Sequence, residues 1–257
     1  MFHPMTRGAA IAALLLAAAC SRGSEQPEAP VANAQEGALP LPMPTLATGP
    51  AVSIARTTDG LDFTYSYPNE AAALPALDAW LRKDAEAGER EANAALAKAP
   101  AGERRHIYSK RWSVQANAPG ILSLTAQYIR TRGEEPAPVM RTLLWDRQAA
   151  QPVAFATLFS DYAAILPSLQ GRACTAFAEE RRRRQSPATG PCPPLEQLHI
   201  GLASGAAIGP VRMLRLFADP GAAAPAEEGS YEARLPVDDA MVRAVRPEYR
   251  GAFAPAL

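Results

Sequence analysis

The chain has 257 residues and carries 26 Lys and Arg against 26 Asp and Glu, so its formal net charge is zero. That balance excludes the basic excess with which nucleic-acid binders meet a polyanion, and no nucleic-acid partner is expected. Of its three cysteines, neither Cys174 nor Cys192 has a Cys-x-x-Cys neighbour or a nearby histidine, which argues against a two-cysteine redox or metal site.

The N-terminus reads as a bacterial lipoprotein signal. Met1 to Arg7 form a charged leader and Gly8 to Ala19 a short apolar core, and small residues lead to Cys20, whose thiol would accept a diacylglycerol. The core is shorter than the roughly 20 residues a spanning helix needs. Residues 1–19 are therefore expected to be cleaved as a signal peptide, leaving the mature protein anchored to the membrane through a lipidated Cys20. Ala17 stands three before the cysteine, where Leu is usual, with Leu16 one residue further back. Ser21 follows Cys20 in place of an aspartate, and resemblance to diderm lipoproteins then points to the outer membrane, facing the periplasm. Cleavage would remove Arg7 and no acidic residue, leaving 25 basic groups against 26 acidic ones.

Residues 20–50 hold the anchor and a stretch with Pro27, Pro30, Pro40, Pro42, Pro44 and Pro50 but few large apolar side chains. Such a stretch cannot bury enough surface to fold and is expected to act as a disordered spacer. Residues 51–257 are enough for one domain or for two subdomains, about 51–135 and 136–257; the sequence leaves that open.

Within this region Leu61, Phe63, Tyr65 and Tyr67 alternate with polar residues, which predicts a half-buried strand. Leu74, Leu77, Leu81, Ala85, Ala92 and Leu96 then recur at helical spacing behind Pro75, predicting an amphipathic helix of about 20 residues packed on the sheet. Tyr108, Trp112 and Val114 lead through Asn117-Ala118-Pro119-Gly120 to Leu122, Leu124, Ala126 and Tyr128, a long antiparallel hairpin. A strand is predicted over Val139–Trp145, a helix from Tyr162 to about Arg183, and strands over Leu195–Leu202, Val211–Phe217 and Tyr231–Val237. A short helix opens at Asp238. The order implies an α+β fold, antiparallel sheets with helices packed on one face.

Chemistry-bearing motifs are sparse. The sequence has no Gly-x-Ser-x-Gly elbow, His-Glu-x-x-His zinc helix or phosphate loop, so no catalytic residue, metal ligand or cofactor is assigned. Cys174 and Cys192 remain once Cys20 is acylated; in an oxidising compartment they are expected to pair, and closing a loop of this size contributes about 3 kcal/mol. His106 and His199 are read as surface or hydrogen-bonded residues, and Arg181-Arg182-Arg183-Arg184 as solvated charge at a helix C-terminus. Of the acidic doublets Glu134-Glu135, Glu227-Glu228 and Asp238-Asp239, the last is read as a helix cap. Gly201, Gly205 and Gly209 are read as a flexible connection.

Phe63-Thr64-Tyr65-Ser66-Tyr67-Pro68, then Thr142-Leu143-Leu144-Trp145-Asp146, then Pro152-Val153-Ala154-Phe155-Ala156-Thr157-Leu158-Phe159, then Ala224-Pro225-Ala226-Glu227-Glu228-Gly229-Ser230-Tyr231-Glu232 follow one another. This succession resembles the extracytoplasmic domain family shared by RsiV-type anti-sigma factors, PdaC-type peptidoglycan deacetylases and many lipoproteins of unknown function. The chain carries Glu135-Pro136-Ala137-Pro138 where the family commonly has Gly-Ala-His-Pro, and Ala226 where it has tyrosine. The resemblance implies a recognition domain: in the anti-sigma factor the related domain binds lysozyme, and in the deacetylase it accompanies a separate catalytic domain for which this chain has no room. The expectation is a non-catalytic envelope lipoprotein that binds a cell-wall component such as peptidoglycan, or an envelope-targeting protein such as a muramidase. The aromatic strands, with Tyr65, Tyr67, Trp112, Tyr128 and Trp145, motivate this reading while being core candidates first. The alternatives are a hydrolase acting on envelope glycans and a structural lipoprotein that organises partner proteins. Cys20→Ser is expected to move the protein out of the membrane fraction; unchanged fractionation would refute the anchor.

Overall fold

A computed structural model describes residues 42–99, 105–131, 138–187 and 190–256. Cys20, the signal segment, the Glu134-Glu135 doublet and most of the Glu135–Pro138 loop lie outside them. In chain order the elements are β1 (Val52–Thr57), β2 (Leu61–Tyr67), α1 (Asn69–Ala72), α2 (Pro75–Ala97), β3 (His106–Ala118), β4 (Ile121–Thr131), β5 (Val139–Asp146), β6 (Gln151–Pro152), α3 (Tyr162–Arg183), β7 (His199–Ala203), β8 (Met213–Ala218), β9 (Tyr231–Pro236), α4 (Asp239–Ala244) and α5 (Pro247–Arg250). Strands β1 to β6 form one sheet in sequence order and β7 to β9 a second. This is the expected α+β class.

One pairing departs from the antiparallel expectation: β2 and β3 run parallel, with Leu61 opposite His106 and Ser66 opposite Arg111. The cause is α2 between them, which carries the chain back to the end where β2 began. Strand β1, absent from the expected elements, pairs antiparallel with β2 along its whole length. The stretch expected as one strand over Leu195–Leu202 divides into a 3-10 turn, Leu195–Gln197, and β7.

Helix α2 begins at Pro75, whose missing N–H costs nothing in a first turn. It buries Leu77, Leu81, Ala85, Gly88 and Ala92 against the face of the sheet that carries Leu61, Phe63, Tyr65, Tyr67, Tyr108 and Trp112. The phenols on that face end at carboxylates of the helix. Tyr65 Oη donates to Asp84 Oδ2 at 2.6 Å, and Tyr67 Oη to Asp78 Oδ1 at 2.5 Å. Lys110 Nζ neutralises Asp84 at 2.7 Å, and Trp112 Nε1 donates to Tyr65 Oη at 2.8 Å. Burial and then Asp84 push the Tyr65 hydroxyl pKa far above its ordinary value, so it is a permanent donor.

The opposite face of the six-stranded sheet is also covered. Ala116, Ala118, Ile121 and Leu144 pack with residues of β7 to β9 and of α3, which buries Leu169, Ala173 and Phe177. At β7, Leu202 N donates to Ser123 Oγ at 3.0 Å, and Ser204 N donates to the carbonyl of Gln115 at 3.1 Å. Gln115 sits at an irregularity in the β3–β4 register between Val114 and Ala116, which frees that carbonyl. Gly201 belongs to this contact and not to a flexible connection, because a Cβ there would stand 3.3 Å from Thr125 Oγ1 and 3.4 Å from Thr142 Cγ2. The boundary considered near residue 135 falls between β4 and β5, which are hydrogen-bonded neighbours.

Cys174 of α3 and Cys192 stand at bonding distance, S–S 2.17 Å with Cα atoms 5.2 Å apart. Gln170 fastens the same segment, donating to the Pro193 carbonyl and accepting from Leu195 N. The arginine run is structural: Arg183 and Arg184 pair with Glu180, and Arg184 also lies over the Tyr231 ring at 4.0 Å.

At Gly88 an added Cβ would meet Tyr108 Oη at 2.1 Å and Cζ at 2.5 Å. Gly88→Ala is therefore expected to lower stability by about 1–3 kcal/mol through overpacking, although alanine is by itself the better helix former. Urea unfolding checks this; a stabilised variant would mean that α2 does not lie so close to β3.

Candidate functional site

The sequence-assigned groups take structural places. Asp238 caps α4, accepting from Met241 N at 2.7 Å, and its other oxygen pairs with Arg172 at 2.6 Å. Glu228 accepts from Ser186 Oγ and Tyr231 Oη. The aromatic strands do not form a surface: Tyr65, Tyr67, Trp112 and Trp145 are buried and Tyr128 is half-buried. Among the described residues the exposed large apolar side chains are Met43, Leu46 and Ile107. His106, expected at the surface or hydrogen-bonded, is buried at the start of β3.

His199 belongs to a cluster with no sequence signature, since Arg141 is 58 residues away on β5 and Asp219 lies just beyond β8. Arg141 Nη1 donates to His199 Nε2 at 2.8 Å and to Asp219 Oδ1 at 2.7 Å. Burial and then the Arg141 charge push the His199 pKa below its ordinary value, against the pull of Asp219. Burial acts to raise Asp219, but Arg141 and His199 outweigh it and hold the carboxylate below its usual range. The imidazole is thus neutral with Nε2 occupied by Arg141, which suits a strut and not a general base. Of the cluster, His199 lines a groove of about 530 Å³ together with Phe155, Tyr162, Leu198 and Glu196.

The concave feature with unspent polar capacity lies at the turn ends of β3–β4 and β5–β6. A cavity of about 540 Å³ is bounded by Asn117 and Gly120 of the first turn, Arg147 and Gln148 of the second, Glu70 and Leu74, and the incoming segment Pro42–Ala47. That segment was expected to be spacer, yet Pro42–Thr45 and Ala47 line the cavity, and Asn69 Nδ2 donates to the Ala47 carbonyl at 2.9 Å. Gly120, at φ 76°, makes the turn that brings its carbonyl to Arg147 N at 2.9 Å. The Arg147 side chain is half-buried, and Nη2 donates to Asn117 Oδ1 at 2.5 Å. Its Nε is buried without a partner, and desolvation lowers its pKa. Among the described residues no carboxylate pairs with it.

Other concavities differ in this respect. Arg183 and Arg184 in one are held by Glu180, and Arg215 in another by Glu232 at 2.8 Å. Among the described residues no group of three or more His, Cys, Asp or Glu is placed to hold a metal ion, and no helix is long and apolar enough to cross a membrane.

No family model and no curated protein matches the sequence. Solved structures do match the fold. A DUF3298 family protein from Pseudomonas aeruginosa PAO1 is similar over 86% of this chain and 100% of its own, at TM-score 0.52 and 14% identity. A DUF3298 family member from Bacteroides fragilis NCTC 9343 is similar over 79% of this chain and 95% of its own, at TM-score 0.50 and 10% identity. At such identities the likeness is one of fold alone.

The cluster carries a pH dependence. Unfolded His199 binds a proton near pH 6.5 while the folded one resists it, so stability is lost as pH falls below about 6.5. Asp219, depressed in the fold, adds a further loss at lower pH, as its folded pKa is crossed. His199→Gln, which keeps an acceptor for Arg141, is expected to flatten the upper part of the stability profile and to keep most of the lower, where Arg141 is the larger of the groups that hold Asp219 down. Urea midpoints between about pH 7 and 5 check it, and an unchanged profile would count against the strut.

Proposed function

We propose that the chain is a lipid-anchored, non-catalytic recognition protein of the cell envelope, whose folded domain binds a cell-wall component or an envelope-targeting protein such as a muramidase. The observation that carries this reading is the cavity at the β3–β4 and β5–β6 turns. It is walled by the segment that enters the domain from its N-terminal side, and it is lined by a half-buried arginine with which, among the described residues, no carboxylate pairs. A bound molecule would supply what the fold leaves unmatched there. The signal-like N-terminus, the proline-rich stretch and the Cys174–Cys192 pair agree with an exported protein. The resemblance to RsiV- and PdaC-type domains and the likeness of fold to DUF3298 proteins support an extracytoplasmic module of this kind.

A hydrolase reading finds less to work with. Asp238 and Glu228 are engaged in caps and hydrogen bonds, whereas glycosidase carboxylates face one another across a cleft about 5–9.5 Å wide. Retention of the full-length protein on peptidoglycan fragments or on an immobilised muramidase is the test. Binding of either class is expected, and retention of neither would overturn the proposal.

A further inference from the structure

We infer that the Arg147 cavity is a binding site for a carboxylate-bearing small ligand, with the guanidinium as the carboxylate receptor and the Pro42–Ala47 strap as the wall that closes over the ligand's apolar part. The inference deepens the recognition reading and rests on it for its biological setting.

Two independent features point to this ligand chemistry. First, the arginine is positioned but not neutralised. Backbone bonding from Arg147 N to the Gly120 carbonyl fixes its Cα, and Asn117 Oδ1, on a residue 1% exposed, holds Nη2 at 2.5 Å. Asn117 is itself fixed, since its carbonyl accepts from Gly209 N at 3.1 Å. Nη2 is thus held by the protein and Nε is buried without a partner, which leaves the terminal Nη groups to meet a ligand in the cavity. A planar fork with donors left over fits a carboxylate, which can take two parallel N–H bonds. A half-buried cation without a countercharge destabilises a fold unless something binds it, so its presence favours a partner from outside. Second, the strap adds apolar surface beside that charge. Met43 and Leu46 are 55% and 60% exposed, the largest values among the large apolar side chains described, and Met43 and Leu74 line the cavity itself. A ligand that carries a carboxylate next to an apolar group meets both features. Glu70, on the rim and not ion-paired with Arg147, offers an acceptor for an N–H or O–H of the same molecule.

In an envelope such a carboxylate has two sources, the C-terminus of a short peptide or the acid group of a carboxylated amino sugar. Isothermal titration of the full-length protein with N-acetyl-D-alanyl-D-alanine, its C-terminal amide and N-acetylmuramic acid separates them. Binding of the acid but not the amide assigns the peptide end, and binding of N-acetylmuramic acid assigns the sugar; binding of the amide as tightly as the acid, or of none of the three, overturns the inference. Arg147→Gln is expected to weaken the bound ligand at least tenfold, and Arg147→Lys to weaken it too by losing the fork. The thermal midpoint of the unliganded Arg147→Gln protein should match or exceed that of the wild type, whereas a structural arginine would give a fall. The same variant run on peptidoglycan and muramidase keeps the two proposals apart. Wild-type retention that Arg147→Gln leaves unchanged overturns this site and spares the recognition reading, while loss of all wild-type retention overturns that reading and leaves the titration to judge the site.

Discussion

The architecture depends on β4 being buried on both faces. From Ile121 to Ala126 every side chain is shielded: Leu122, Leu124 and Ala126 by α2 and its neighbours, and Ile121, Ser123 and Thr125 by the second sheet. A strand in this position cannot present bulky side chains in both directions without forcing the layers apart. Small hydroxyl residues on the second face, opposite a glycine on β7, let the sheets approach closely. The Ser123 hydroxyl then accepts a β7 backbone N–H that would otherwise be buried without a partner.

The two sides of the central sheet are held by different physics. Toward α2 the contact is large aromatic area with its polar ends satisfied at Asp78 and Asp84. Toward the second sheet it is a tight, partly polar seam in which main-chain groups do much of the bonding, through the Gln115 and Asn117 carbonyls. Breaking one phenol–carboxylate bond leaves a buried hydroxyl unsatisfied, a loss of about 1–3 kcal/mol. Adding a single methyl at Gly201 acts by displacement instead.

Local pattern explains which parts of this were legible in the sequence. The alternation of Leu61 to Tyr67, the apolar stripe of α2, the Asn117–Gly120 turn and the span of α3 are period and punctuation signals, and they coincide with the structure. The second burial of β4 was not legible, because Ser123 and Thr125 read as a solvent face whenever the covering layer is unknown. The parallel β2–β3 pairing follows only when the helix between them is seen to lie across the sheet. The polar cluster of Arg141, His199 and Asp219 and the setting of Arg147 are products of long-range packing. Each is built from residues on separate elements, so no spacing could announce it. The aromatic strands illustrate the converse, since side chains that read first as core candidates are spent on the core.

The strap formed by Pro42–Ala47 has a mechanical consequence. Among the described residues it is tied to the domain by one hydrogen bond, from Asn69 to Ala47, whereas β1, which follows it, is zipped to β2 over six register pairs. A load arriving through residues N-terminal to Pro42 therefore meets its weakest fastening at the cavity wall and its strong one only afterwards. The wall is the compliant element in series with a stiff sheet, so tension on the chain would open the cavity well before it disturbed the fold.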